Sequence, residues 1–164
     1  MKNKTILLGL NELNFDYVKF YINSGLLPNF KKIFEIQTPF ETVSEKKYRL
    51  LEPWVQWVTV HTGKTFDEHK VFRLGDIVNN PDLPQIFEEL EAEGLSVGAV
   101  SPFNAENRLN NPSFFFPDPW TKTNPSGNWI LKSLYQAIHQ SVNDNARRKL
   151  NLNSLISLGI GVLL

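Results

Sequence analysis

The sequence predicts an α/β fold in which a mostly parallel sheet carries helices on both faces. Residues 5–10 and 95–100 are continuous apolar runs, which are typical of strands buried on both faces of such a sheet. Amphipathic segments flank these runs, as the helices of β-α-β crossovers do. At 164 residues, 41% of them apolar, the chain is long enough for one domain with its own core. We predict a single domain over residues 1–164, apparently truncated, because the apolar pattern of residues 155–164 ends without a polar cap.

Capping residues set the predicted helix boundaries. Asn14 can accept hydrogen bonds from the first free N–H groups of a helix, and Pro28 and Pro53 suit the first turns of two more. Gln85 follows Asp82 at the spacing of a capping box, which predicts a helix start at Asp82. The predicted elements are, in order, a strand at 5–10, helices beginning after Asn14 and at Pro28, a strand at 38–43, a helix at 54–60, a helix from Asp82 to Gly94, a strand at 95–100 and a helix at 129–142. By periodicity alone the run at 54–60 could also be a strand, and the flanking Pro53 and Gly63 favour the helix.

Residues 101–128 form a predicted insertion loop that is rich in proline and aromatic residues. It contains five prolines, three consecutive phenylalanines at 114–116, and Trp120. A loop of this length without secondary structure is uncommon in a compact domain unless it builds or covers a site. The aromatic side chains favour a loop that packs onto the domain. Trp120 is a candidate platform for a sugar or nucleotide ring, and core packing of the loop is the alternative.

Composition excludes several classes of protein. Seventeen basic residues match seventeen acidic ones, so no overall field favours nucleic acid or an anionic membrane surface. The absence of cysteine excludes disulfides and thiolate metal sites. The first apolar run is interrupted at Asn11 and Glu12, which makes it too short for a signal peptide, and residues 155–164 are too few to span a bilayer. We predict a cytoplasmic protein that binds neither nucleic acid nor membrane.

Polar residues that follow the predicted strands are the candidate site. In open parallel sheets, ligands bind beyond the carboxyl ends of the strands. Asn11 and Glu12 follow the first strand, Glu52 precedes the helix at 54–60, and Asn104 follows the strand at 95–100. One amide and two carboxylates form a plausible oxygen site for a divalent cation. The alternative is that Asn11 and Glu12 only satisfy turn and helix-start donors.

His61 stands at the end of the apolar run that begins at Trp54. A hydrogen-bonded structural histidine is expected there more often than a metal ligand.

Four short motifs, in order, give the chain a family resemblance. Each is unspecific alone, but their order and spacing together resemble the alkaline-phosphatase superfamily, in particular its type I phosphodiesterase, nucleotide-pyrophosphatase and sulfatase-like branch. The resemblance covers residues 4–71 and, more weakly, residues 83–100. The motifs are Ile6-Leu7-Leu8-Gly9-Leu10-Asn11, then Gly25-x-Leu27-Pro28-Asn29-Phe30, then Trp57-x-x-x-x-Thr62-Gly63, and then Glu68-His69.

This resemblance implies a doubly wound α/β fold and a site with two divalent metals, such as Zn, Mn, Mg or Ca. In such enzymes a threonine or serine attacks phosphorus or sulfur. The chain departs from that pattern at four places, two of them at the centre of the expected site. Asn11 and Glu12 stand where a metal-binding aspartate and a glycine are expected, and Pro53 stands at the nucleophile position, next to Glu52. No serine or threonine occurs between residues 50 and 58.

The other two departures lie further along the chain. Lys70 stands where a glycine is expected after His69, and no cluster of aspartate and histidine ligands follows Asn104. The resemblance implies that His69 shapes a loop, and a direct metal role is the alternative.

The predicted function follows from the resemblance and from these departures. We expect the N-terminal part of a metal-dependent phosphoester or sulfate-ester hydrolase with an altered nucleophile and first metal ligand, inactive as this chain alone. Asn11 and Glu12 are the predicted metal ligands, and Glu52 is the predicted catalytic residue, as a base, a ligand or a carboxylate nucleophile. Asn104 and Trp120 are the predicted substrate contacts.

Two other functions remain open. The first is a non-catalytic binding module on the same fold, with a glycan, nucleotide or protein as its ligand. The second is an unrelated nucleotide-binding α/β domain. Against the second, no glycine-rich phosphate loop follows the first strand, since Gly9 is the only glycine before Gly25.

Overall fold

The computed structural model describes residues 4–36, 40, 42–144, 152, 154–156 and 159. It contains two compact units, Met1–Val43 and Ser44–Leu164, and each is described by itself below. Over the described ranges the fold is mixed α/β, which confirms the predicted class in that general sense. The larger parallel sheet with helices on both faces stays a prediction, since the sheet has two strands over these residues. The helices are α1 (Phe15–Asn23), α2 (Pro28–Ile36), α3 (Pro53–Thr62), α4 (Phe66–His69), α5 (Ile86–Ala92) and α6 (Trp129–Asn143), and the strands are β1 (Gly98–Val100) and β2 (Phe114–Phe116).

The N-terminal unit is a pair of helices. Asn14 caps α1 as predicted, because its Oδ1 accepts hydrogen bonds from the backbone N–H groups of Asp16 at 2.9 Å and Tyr17 at 3.1 Å. Phe15 of α1 meets Phe34 of α2 with the ring centroids 6.4 Å apart. These contacts confirm the two predicted helices and their order.

The predicted strand at 5–10 is wrong, because these residues form no strand in the structure. Ile6 is 89% exposed and Leu7 is 75% exposed. A strand that is buried on both faces needs neighbours that satisfy its backbone N–H and C=O groups, and the described part of this unit contains no other strand. The predicted strand at 38–43 lies partly outside the described residues; positions 40, 42 and 43 are not in a strand.

The second unit is organised around α3. Pro53 is in the first turn of this helix, and Gly63 ends it in the left-handed conformation with φ of 64°, as the sequence predicts. Val58 of α3 packs with Val71 and Ile77 in a fully buried apolar cluster. Burial of these three side chains holds the middle of α3 against the segment that follows α4.

The sheet in the second unit has two parallel strands over the described residues. Gly98 pairs with Phe114 and Val100 with Phe116. The predicted strand at 95–100 is therefore confirmed only over Gly98–Val100. The prediction of a structureless loop at 101–128 is wrong at Phe114–Phe116, because three phenylalanines favour extended backbone and pair with β1.

The start of α5 differs from the prediction. The helix begins at Ile86 and not at Asp82, and Gln85 is its N-cap instead of its third residue. Pro84 disfavours helical backbone at the preceding residue, which moves the start of the helix beyond it. Gln85 then forms the capping box with Glu88, whose Oε2 accepts a hydrogen bond from Gln85 N at 2.8 Å.

The loop at 101–128 packs onto the unit, as its aromatic composition predicts. Phe115 is fully buried, and its ring meets the edge of Phe87 with centroids 5.7 Å apart. Arg108 fixes the loop to the segment before α5 through four backbone carbonyl oxygens of that segment, and it also bonds to one carboxylate of its own loop. Its acceptors are the carbonyl oxygens of Ile77 at 3.1 Å, Asn80 at 2.9 Å, Pro81 at 3.1 Å and Leu83 at 2.6 Å, and Glu106 Oε2 at 2.6 Å.

We expect Arg108→Met to lower the free energy of unfolding by roughly 2 kcal/mol, because it removes five hydrogen bonds whose acceptors are partly hydrated when released. Arg108→Lys should recover only part of this loss, since a compact ammonium cannot reach the same fork of acceptors. Urea denaturation measures both changes. Lys122→Met, at an exposed position, is the control, and a loss for Arg108→Met no larger than for this control would contradict the expectation.

No helix within the described ranges is long and apolar enough to cross a membrane.

Candidate functional site

A shallow, open cleft of ≈ 530 Å³ lies at the start of α3 in the second unit. A 3-10 turn at Tyr48–Leu50 forms one side, and the segment that follows α4 forms the other. Glu52, the predicted catalytic residue, lies in it. The full lining is Tyr48, Arg49, Glu52, Trp54, Phe72, Arg73 and Leu74.

Glu52 is the N-cap residue of α3. Its backbone has φ of −61° and ψ of 135°, and its side chain makes no capping hydrogen bond. The residue is half-buried. Because its carboxylate accepts no hydrogen bond from the first N–H groups of α3, it does not cap the helix on which it stands. The partial positive charge of a helix N-terminus favours a negative group at this position, whether it belongs to Glu52 or to a ligand.

Two arginines give the cleft its positive character. Arg49 is in the 3-10 turn and Arg73 is in the segment after α4, and both are exposed. With Glu52 ionised, the lining carries one net positive charge. Planar guanidinium groups donate paired hydrogen bonds to phosphate, sulfate and carboxylate groups, so the cleft suits an anionic ligand.

Three aromatic side chains form most of the remaining lining. Trp54 Nε1 donates a hydrogen bond to the carbonyl oxygen of Phe72 at 3.0 Å, which joins the start of α3 to the opposite side of the cleft. Tyr48 is 88% exposed and Phe72 is 43% exposed. Aromatic surface beside guanidinium groups suits a ligand with an apolar or aromatic body and an anionic head.

Asn104, a predicted substrate contact, is fully buried and does not line the cleft. Its Nδ2 donates to the carbonyl oxygens of Trp54 at 2.7 Å and Arg73 at 3.3 Å. Its Oδ1 accepts from the backbone N–H of Gly75 at 2.8 Å. Both Nδ2 donors are therefore in use, and the contacts support a structural role behind the cleft.

Trp120, the other predicted substrate contact, is 48% exposed and stands outside the cleft lining. Its ring meets Phe103 edge-on, with centroids 5.8 Å apart. Its backbone N–H donates to Asp118 Oδ1 at 2.8 Å. The residue retains an exposed ring face that a ligand could cover, and its direct role stays a prediction.

Asn11 and Glu12, the predicted metal ligands, line a pocket of ≈ 420 Å³ within the N-terminal unit. Glu12 has a positive φ of 56° and is exposed. It is the only carboxylate in this lining. No group of three histidine, aspartate or glutamate side chains that could hold a metal occurs within the described residues. The pair can supply two oxygen ligands and one negative charge, which fits a weak cation site at most, since high-affinity oxygen sites use several carboxylates.

His69 is buried and helps to shape the turn after α4, as predicted. Its Nδ1 accepts a hydrogen bond from Val71 N at 3.0 Å, so the neutral ring carries its proton on Nε2. Nε2 lies 3.3 Å from Thr59 Oγ1. Burial is the largest cause of the lowered pKa of His69, which keeps the ring neutral near pH 7.

His61 is a buried structural histidine, as predicted. Its ring stacks on Trp57, with centroids 5.7 Å apart, and contacts Phe87 at 5.3 Å. Nε2 lies 3.1 Å from the carbonyl oxygen of Phe103, which can only accept, so Nε2 carries the proton. Burial lowers the pKa of His61 from 6.5 to about 4, although Phe103 O and the charge of Asp118 act in the opposite direction.

Sequence reasoning missed the two arginines of the cleft. Arg49 lies in a polar, charged connection and Arg73 in a short loop, and neither stands in a motif. Exposed arginines in loops usually form a solvated surface, so only the fold could show that these two flank Glu52. The nearness of Arg49 to Glu52 in the chain was the one local signal.

No protein-family model matches this sequence, and neither a curated protein nor a solved structure matches it. The alkaline-phosphatase resemblance therefore stays a prediction that rests on the motifs in residues 4–71.

Proposed function

We propose that this chain is part of an alkaline-phosphatase-like protein and that the cleft at the start of α3 binds a phosphate or sulfate ester. One observation carries the proposal: two guanidinium groups, Arg49 and Arg73, share a cleft with three aromatic rings at a helix N-terminus. The motif order in residues 4–71 supports the family, and the cleft supports the chemistry of the ligand.

The charges of the cleft favour an ester with one negative charge. Arg49 and Arg73 exceed Glu52 by one charge, so a monoanion leaves the site neutral and a dianion leaves it negative. The organic part of the ester would pack on Trp54 and Phe72, where aromatic contact adds to the binding free energy.

If the protein is a hydrolase, Glu52 is the residue that takes part in the chemical step. As a general base, the carboxylate takes a proton from a water molecule that attacks phosphorus or sulfur. The ester oxygen leaves with the electrons of the broken bond, and an alkoxide then takes the proton from Glu52 to become the alcohol, while 4-nitrophenolate leaves as the anion. A divalent metal, when bound, would stabilise the negative charge of the transferred group. The cleft lining offers Glu52 as its only carboxylate ligand, while Asn11 and Glu12 line a different pocket, within the N-terminal unit.

We expect Arg73→Ala to weaken the binding of bis(4-nitrophenyl) phosphate roughly 10-fold, because a guanidinium–phosphate contact is lost. Arg49→Ala should act in the same direction. Isothermal titration calorimetry measures both, and Lys122→Ala is the matched control for the loss of an exposed cation. Equal affinity of wild type and Arg73→Ala, or no binding by wild type, would contradict the proposed function.

Glu52→Gln separates the hydrolase from the binding module. The substitution removes the negative charge of the cleft, so the affinity for the ester should rise about threefold in either case. Release of 4-nitrophenolate should fall by a factor of roughly 100 or more if Glu52 is the base. Tighter binding with no turnover in either protein would identify a non-catalytic binding module.

The non-catalytic module is the second candidate, and one observation favours it. The cleft has several groups suited to binding an anion, but Glu52 is its only carboxylate and residues 50–58 contain no serine or threonine. A glycan or nucleotide ring on Trp120 belongs to this candidate. Loss of binding in Trp120→Ala, with Arg73→Ala unaffected, would place the ligand there.

A further inference from the structure

Asn104 connects the two sides of the cleft from behind. Its Nδ2 donates to the carbonyl oxygen of Trp54, in the first turn of α3, at 2.7 Å. The same Nδ2 donates to the carbonyl oxygen of Arg73, on the opposite side, at 3.3 Å. Trp54 and Arg73 both line the cleft, so one amide group sets the distance between the backbones of two lining residues.

The side chain of Asn104 is itself held in place. Its backbone N–H donates to Asp118 Oδ2 at 2.9 Å, and its Oδ1 accepts from Gly75 N at 2.8 Å. Its backbone has φ of 50°, a left-handed conformation that asparagine tolerates better than most residues. A residue that is fully buried, conformationally restricted and bonded at both ends is fixed in one orientation.

At Gly75 the segment that carries Arg73 closely approaches the backbone of Trp120. This glycine has φ of 85°, and a Cβ added to it would lie 3.3 Å from the carbonyl oxygen of Trp120. A side chain at this position would therefore push the Arg73–Gly75 segment away from the turn that holds Trp120. The segment that carries Arg73 is thus packed from one side and hydrogen-bonded to Asn104 from the other.

We propose that Asn104 is a positioning residue for ester binding: it holds Arg73 and Trp54 at the separation that the anionic head and the organic body of the ligand require. This inference rests on the proposed function of the cleft. Asn104 does not touch the ligand, and it acts through Arg73 and Trp54.

Asn107 provides a matched control on the same loop. Its Nδ2 also donates two hydrogen bonds, to the carbonyl oxygen of Asn124 at 2.8 Å and to Ser126 Oγ at 2.9 Å. These partners do not line the cleft. Replacing Asn107 therefore removes a comparable number of hydrogen bonds without loosening Arg73 or Trp54.

The test is a double-mutant cycle on the affinity for bis(4-nitrophenyl) phosphate. Asn104→Gly removes the side-chain amide, and glycine adopts the positive φ of this position without strain. Asn104→Asp replaces the Nδ2 donor by an oxygen that would face two carbonyl oxygens. We expect each to weaken binding roughly 10-fold in the wild-type background and less than about threefold in the Arg73→Ala background. Asn107→Ala should leave the affinity within about twofold in both backgrounds. Equal losses for Asn104→Gly in the two backgrounds, or equal losses for Asn104→Gly and Asn107→Ala, would overturn the inference.

A second measurement tests positioning without a ligand. The indole N–H of Trp54 bonds across the cleft to Phe72 O, so its hydrogen exchange reports whether the two sides stay together. We expect exchange at least about 10-fold faster in Asn104→Gly than in Asn107→Ala. Equal exchange in the two variants overturns the inference. If the wild-type protein binds neither bis(4-nitrophenyl) phosphate nor 4-nitrophenyl sulfate, the proposed function fails, and the indole exchange still decides whether Asn104 positions the two sides.

Discussion

Replacing Asp118 with asparagine should lower the free energy of unfolding by about 3 kcal/mol, the largest effect that we expect from a single isosteric substitution. The Asp118 carboxylate is fully buried and accepts four hydrogen bonds. An asparagine amide would turn one acceptor into a donor, which would then face donors that need an acceptor. The four donors are the backbone N–H groups of Asn104 at 2.9 Å, Trp120 at 2.8 Å and Thr121 at 2.8 Å, and Thr121 Oγ1 at 2.7 Å.

Urea denaturation of the wild-type and Asp118→Asn proteins measures this loss. The control is Asp82→Asn, at an exposed position, which should change the free energy of unfolding by less than about 0.5 kcal/mol. If the two variants are equally stable, the four hydrogen bonds do not contribute to stability as we infer. Because Asp118 holds the backbone of Asn104, the Asp118→Asn protein should also bind the ester more weakly.

The helices could be predicted where the residues that begin or end them lie within one turn of the helix terminus. Asn14 caps α1, and Pro53 and Gly63 bracket α3, and each of these residues acts on backbone within one turn of itself. The start of α5 was misplaced because two capping boxes overlap. Asp82 with Gln85 and Gln85 with Glu88 both have the correct spacing, and Pro84 decides between them.

Strands were harder to predict because their stability depends on distant partners. The apolar run at 5–10 and the run at 95–100 look alike in the sequence, but only the second contains a strand. Gly98–Val100 gains its partner from Phe114–Phe116, inside a segment whose prolines predicted a loop. An apolar run therefore indicates a strand only where the rest of the chain supplies a neighbour.

The candidate site was predictable in part. Glu52 could be proposed as a site residue because it precedes the proline at the expected nucleophile position. In the structure it lies in a cleft. The role of Asn104 could not be predicted, because its partners lie 50 and 31 residues away in the sequence. Long-range hydrogen bonds of buried amides leave no local pattern in the sequence.

The last prediction concerns the stability of the fold in mild acid. Burial lowers the pKa of His61 from 6.5 to about 4. Between these two pH values the unfolded chain binds a proton at His61 and the folded protein does not, so protons favour unfolding. The stabilising contribution is complete above about pH 6.5, falls as the pH falls and is lost by about pH 4, for a total of about 3 kcal/mol.

The structure explains why the protonated ring is unfavourable. The added proton would go onto Nδ1 of His61, which is buried and has no hydrogen-bond partner among the described residues. Trp57 and Phe87 surround the ring with aromatic surface, which solvates an imidazolium less well than water does. Urea denaturation at several pH values between 4 and 7 measures the decline. In the His61→Gln protein we expect the free energy of unfolding to decline by about 3 kcal/mol less over this range than in the wild-type protein. The His139→Gln protein, in which His61 remains, should show the same decline as the wild type. If the His61→Gln curve runs parallel to that of the wild-type protein over this range, the buried imidazole is not the group that makes the fold sensitive to acid.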